Sequence, residues 1–103
     1  MKVAITGRSM EPALFEGDWA LFNYSVSGLS TRALKRSVGG IVLIRRSSEP
    51  DLLVVKRLIK ILDTGYWVEG DNADESTDSR HYLTLSQSEI VGRHILRYRK
   101  GKR

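Results

Sequence analysis

In Leu52-Leu53-Val54-Val55-Lys56-Arg57-Leu58-Ile59 two cations interrupt an aliphatic run. Strand alternation puts Val54, Lys56 and Leu58 on one face and Val55, Arg57 and Ile59 on the other, so at least one cation shares a face with apolar neighbours. Such a lysine has two readings. It is an edge-strand cation with its stem on the core and its head in water, or it is desolvated. In the second case burial disfavours the ammonium form, the pKa falls from about 10.4, and the neutral amine becomes a usable general base. A base needs a nucleophile, and Gly7-Arg8-Ser9-Met10-Glu11-Pro12 offers Ser9. Gly7 permits close backbone approach, Pro12 fixes the following turn, and Met10 supplies an apolar anchor. A serine in a turn is also an ordinary capping residue, so the residue types alone leave both roles open.

The third chemically dense stretch is Gly70-Asp71-Asn72-Ala73-Asp74-Glu75-Ser76-Thr77-Asp78-Ser79-Arg80. It does not fit a calcium loop of the EF-hand kind, because no glycine follows Gly70 and the flanking segments read as strands. A compact turn fits better, with Asp78 paired to Arg80 or to a distant arginine and the Ser76 hydroxyl free to meet Lys56. The chain has no cysteine, which removes disulfides and thiolate metal sites and makes a reducing compartment, the cytoplasm, the default expectation. His81 and His94 lie 13 residues apart without helical ligand spacing, so neither a metal nor any other cofactor is expected.

The elements that must position these residues are short, Val- and Ile-rich and separated by turn signals, a pattern of strands. Six are expected, near Lys2 to Ile5, Asp18 to Tyr24, Gly40 to Arg46, Leu52 to Leu62, Tyr66 to Glu69 and Ile90 to Tyr98. A helical turn or loop is expected within Ser25 to Ser37. With 103 residues and 41% hydrophobic content the chain has room for one mainly β domain, a small coiled and mostly antiparallel sheet. The net charge of +5 comes from the end: residues 1–92 carry 11 basic and 12 acidic side chains, whereas 93–103 carry six basic and none acidic. The division expected is a core over 1–96 and a solvated basic tail over 97–103, with no base-reading motif to indicate nucleic acid. The longest apolar runs are four residues, such as Ile41 to Ile44, against about 20 for a membrane span, and no export signal is apparent.

Taken together, the separated motifs resemble the signal peptidase I family, within the serine-lysine peptidases that include self-cleaving repressors. Gly7-x-Ser9-Met10-x-Pro12 with Gly17-Asp18 is similar to the nucleophile segment, Lys56-Arg57 to the base strand, and Gly70-Asp71-Asn72 with Ser76-x-Asp78-Ser79-Arg80 to the closing motif. Ile90-Val91-Gly92-Arg93 fits the strand that follows. The resemblance implies a serine endopeptidase with Ser9 as nucleophile, Lys56 as base, Ser76 orienting the amine, and Asp78 and Arg80 bracing the loop. It also implies shallow pockets for small substrate residues, with Met10 and the surroundings of Trp19 as wall elements.

Two departures stand against the pattern. Gly7 replaces a serine that serves some relatives as an oxyanion donor, and Leu83 stands where the family usually has glycine. With eight residues before Ser9 and 13 between Lys56 and Gly70, the chain resembles the small soluble members, the nickel-type superoxide dismutase maturation proteases in particular. The resemblance therefore implies a cytoplasmic partner, a precursor with a cleavable amino-terminal leader. The alternatives are a noncatalytic β module that binds a peptide or nucleic acid, and a signal peptidase whose membrane anchor lies elsewhere.

Overall fold

A computed structural model describes residues 1–101. Six strands form one antiparallel sheet: β1 (Lys2–Ala4), β2 (Trp19–Tyr24), β3 (Ile41–Ile44), β4 (Val54–Leu62), β5 (Gly65–Glu69) and β6 (Ile90–Arg99). Their order across the sheet is β1-β2-β6-β3-β4-β5. Two helices lie outside the sheet, α1 (Thr31–Ser37) and the single turn α2 (Ser79–Tyr82), with short 3₁₀ turns at Ala73–Glu75 and Gln87–Glu89. Ser30 starts α1 by accepting the Ala33 N–H at 3.1 Å, which satisfies one of the donors a helix end leaves open.

Strand β3 sits at the centre, and its sequence Ile-Val-Leu-Ile has no polar alternation because both of its faces are covered. Leu43 packs with Ile5, Met10, Leu14, Phe22 and Val55 on one side. Val42 and Ile44 pack on the other with Leu34 of α1, Leu58, Val68 and Ile90. The segment between β1 and β2 is therefore pinned onto the first core through Met10 and Leu14, each 2% exposed. Lys56 stands opposite Val42 on β4, inside this double-covered region.

The mainly β expectation agrees with the sheet, and all six expected strands are present. At the carboxyl end β6 runs on to Arg99, paired with β2 as far as Trp19, so residues 97–99 belong to the sheet. Asp18, fully buried, receives the Gly101 N–H at 2.7 Å and lies 3.6 Å from Arg97, which ties this end to the turn before β2. Lys102 and Arg103, the last of the basic stretch, lie outside the described residues. Leu83 holds a glycine-like backbone, φ 67° and ψ −147°, so the chain keeps that bend after α2 with a side chain on it, at a cost of roughly 1–3 kcal/mol.

Candidate active site

The centre of the site is Lys56, 4% exposed although it carries an amine. Its Nζ donates to Ser76 Oγ at 2.9 Å, and Ser76 Oγ in turn donates to Asp78 Oδ2 at 2.6 Å. Burial lowers the Lys56 pKa, Asp78 opposes that shift by its charge, and Arg80 adds to it. With Ser76 accepting one amine hydrogen, the lone pair of a neutral Lys56 is left to face another partner.

Asp78 organises the loop beneath. Its fully buried carboxylate accepts from Gly70 N at 2.8 Å, from Arg80 N at 3.1 Å, and from Arg80 Nε and Nη2 at 3.0 and 2.6 Å. Burial alone would raise the carboxyl pKa, but the bonds from Arg80, Ser76 and Gly70 outweigh it and hold Asp78 well below the usual carboxylate range. Asp78 also caps α2, with the His81 ring accepting the Asp78 N–H at 3.2 Å. Ser79 Oγ accepts the Val68 N–H at 2.9 Å and fastens α2 to β5.

Ser9 lies half-buried in the turn that Met10 anchors. Its carbonyl accepts the Asn72 N–H at 2.8 Å, which docks the turn on the Gly70–Asn72 loop. Gly70 is where the two meet: a Cβ there would stand 2.8 Å from Ser9 O and 2.6 Å from Ser76 Cβ, so only glycine fits. The Ser9 turn and the Lys56-Ser76 pair thus share one small space. The Ser9 hydroxyl makes no hydrogen bond to Lys56; Ser76 occupies the amine instead.

Two connections escaped the sequence. Arg57, next to Lys56, forks onto Asp71 with both distances 2.7 Å and reaches Gly39 O at 2.8 Å. Asn72 Nδ2 bonds Arg8 O at 3.1 Å. Asp71 and Asn72 belonged to a recognised motif, but their partners lie in distant segments, which a local pattern does not name. Met10 is a core residue. Trp19 packs instead on Tyr98, ring centroids 6.4 Å apart, beside an open 670 Å³ depression with Arg99 and Lys100 that neither Ser9 nor Lys56 lines. A smaller depression of 280 Å³ lies beside the site, lined by Arg46, Glu49, Leu52, Val54, Thr77 and Tyr82. Among the described residues no cluster of His, Asp or Glu is arranged to hold a metal ion, and no helix is long and apolar enough to cross a membrane.

No family model matches the chain. It does match curated proteins along most of its length. The mitochondrial ATP-independent inner membrane protease subunit 1a of Arabidopsis thaliana is 31% identical over 116 aligned positions, covering 90% of this chain and 67% of that protein. The mitochondrial inner membrane protease subunit 1 of Mus musculus and that of Homo sapiens are each 32% identical over 111 positions, covering 88% of this chain and 64% of theirs. The chain thus spans about two thirds of the length of these relatives. They are mitochondrial inner membrane proteins, which overturns the cytoplasmic location expected from the absence of cysteine and of a spanning segment; neither absence specifies a compartment. The resemblance to the nickel-type maturation proteases finds no support in them. The motif order from Thr6 to Arg93, the antiparallel fold and these relatives together place the chain in the family of the mitochondrial inner membrane protease subunits, proteases of the signal peptidase I type.

Proposed function

We propose that this chain is a serine endopeptidase that removes an amino-terminal leader from a precursor protein, with Ser9 as nucleophile and Lys56 as its general base. The observation that carries the reading is a buried lysine with a lowered pKa, bonded to Ser76 beside the docked Ser9 turn. A serine hydroxyl attacks a peptide carbonyl once a base takes its proton, and a neutral amine does this without histidine. Ser9 Oγ bonds to the carbonyl carbon, its proton passes to Lys56, and the protonated amine then delivers it to the departing peptide nitrogen. Water, deprotonated by the same amine, releases the acyl group. In this reading Ser76 orients the Lys56 amine while Asp78 and Arg80 hold Ser76. The bond from Ser9 to Lys56 forms when substrate closes the site, since catalytic hydrogen bonds are often loose in free enzymes.

The relatives' names support a protein substrate met at a membrane and, because each is called a subunit, work alongside another chain. A nickel-type superoxide dismutase precursor as substrate finds no support in these relatives. The reading is tested by exposing the protein to a randomised decapeptide library and identifying the products by mass spectrometry. Cleavage is expected after small residues, with small residues also favoured two positions earlier, as an extended peptide beside a strand presents alternate side chains to the enzyme. A strict demand for large or charged residues at both positions, or no cleavage of any sequence, would overturn it.

A further inference from the structure

The two peptide units that flank Ser9 are both gripped by Asn72. Its backbone N–H binds Ser9 O at 2.8 Å and its side-chain amide binds Arg8 O at 3.1 Å. The Arg8 carbonyl shares a rigid trans peptide plane with the Ser9 N–H, so that N–H points away from the Asn72 amide. It donates to no protein acceptor among the described residues. Asn72 is itself referenced to the Lys56 strand, because its neighbour Asp71 is forked onto Arg57.

We infer that Asn72 is a positioning residue that aims the Ser9 N–H at the oxyanion formed during acyl transfer; this rests on the peptidase reading above. Gly7 offers no side chain for the task, so the backbone donor carries more of the stabilisation. A free peptide unit can rotate its N–H away from the reacting carbonyl. The Asn72 side-chain amide, together with the Glu11 N–H at 3.2 Å, holds the Arg8 carbonyl while the Asn72 N–H holds the next peptide unit, which prevents that rotation before substrate arrives, and preorganised donors of this kind contribute most when they do not have to be reoriented. The clamp acts on the transition state, where the negative charge resides, and little on substrate binding.

The test compares wild type, Asn72→Ala and Asn72→Asp on the best peptide from the library. Both variants keep the backbone N–H; the alanine removes the side-chain donor and the aspartate sets an acceptor against Arg8 O. A peptide aldehyde of the same sequence serves as probe: Ser9 Oγ adds to its carbon, the carbonyl electron pair moves to oxygen, and the serine proton goes to Lys56. The corresponding alcohol, which cannot form the adduct, reports ground-state binding. The variants are expected to lose about 10–100-fold in kcat with KM nearly unchanged, and to bind the aldehyde weaker by the same factor while binding the alcohol as wild type does. Unchanged kcat, or equal weakening of aldehyde and alcohol, would overturn the role of Asn72. Ser9→Ala separates the two claims. If it is inactive while Asn72→Ala matches wild type, only the clamp falls; if it still cleaves, the peptidase reading and the clamp fall together.

Discussion

Replacing Lys56 by methionine is expected to abolish peptide cleavage and, at neutral pH, to raise the unfolding temperature. Loss of the base removes at least about 10³-fold in kcat, within the range of general-base and nucleophile activation combined. The gain in stability follows from the direction of the pKa shift. Burial lowers the folded pKa of Lys56 below its value in the unfolded chain, near 10.4. Between the two values the unfolded chain binds more protons, so stability rises with pH through that window, and below the folded value the whole penalty is present. Methionine fills the stem's volume without a charge, and Ser76 keeps its bond to Asp78. Calorimetry at pH 7 and pH 10 checks this: the advantage over wild type should shrink at the higher pH. Cleavage by wild type should climb as pH rises through the lowered Lys56 pKa, while Lys56→Arg, whose guanidinium stays charged, should be inactive. A methionine variant less stable than wild type at neutral pH would mean that Lys56 is a well-compensated structural cation.

Asp78→Asn is expected to destabilise the domain by roughly 1–3 kcal/mol, because it removes the charge of a fully buried carboxylate paired with the exposed Arg80 and turns an amide toward the Gly70 and Ser76 donors. Denaturant titration measures the loss. Its pH dependence has a defined sign. The folded carboxyl pKa is depressed, so Asp78 contributes stability above the unfolded value near 3.9 and loses it as pH falls through the folded value. The wild-type advantage should therefore vanish in strong acid. Removing the Asp78 charge also removes the influence that raises the Lys56 pKa, so the acid limb of the activity profile should move to lower pH even as kcat falls. An Asp78→Asn variant with wild-type stability and an unmoved profile would detach this carboxylate from both roles.

How much of this was legible beforehand depended on whether the deciding forces were local. The strands were readable because Val, Ile and Leu cluster between turn residues, as in Ile41–Ile44 and Val54–Leu62. Their order was not, since β6 inserts between β2 and β3 through pairings such as Phe22 with His94 and Leu43 with Gly92. The basic end looked like a solvated tail because six cations dominate it, yet pairing with β2 carries the strand to Arg99. In the site, alternation around Lys56 left a solvated edge-strand cation and a buried amine both open, and the covering of β4 beside β3 decides for burial. The grip of Asn72 on Arg8 and Ser9 was hidden, because Asn in a Gly-Asp-Asn turn looks like a residue bonding its own neighbours. The packing of Trp19 on Tyr98 was equally hidden, because it follows from the pairing of β2 with the end of β6.

The central claim is that one hydroxyl, that of Ser9, performs the chemistry. It is tested most directly by single-turnover cleavage of the best library peptide by wild type and by Ser9→Ala at equal protein concentration, after calorimetry has shown that both fold. Methyl for hydroxymethyl removes a single oxygen from a half-buried turn whose fastening to Asn72 runs through the backbone. The account predicts cleavage by wild type and a loss of at least about 10³-fold in the variant, as expected when a nucleophile is removed. Cleavage by Ser9→Ala at a rate close to that of wild type would contradict it.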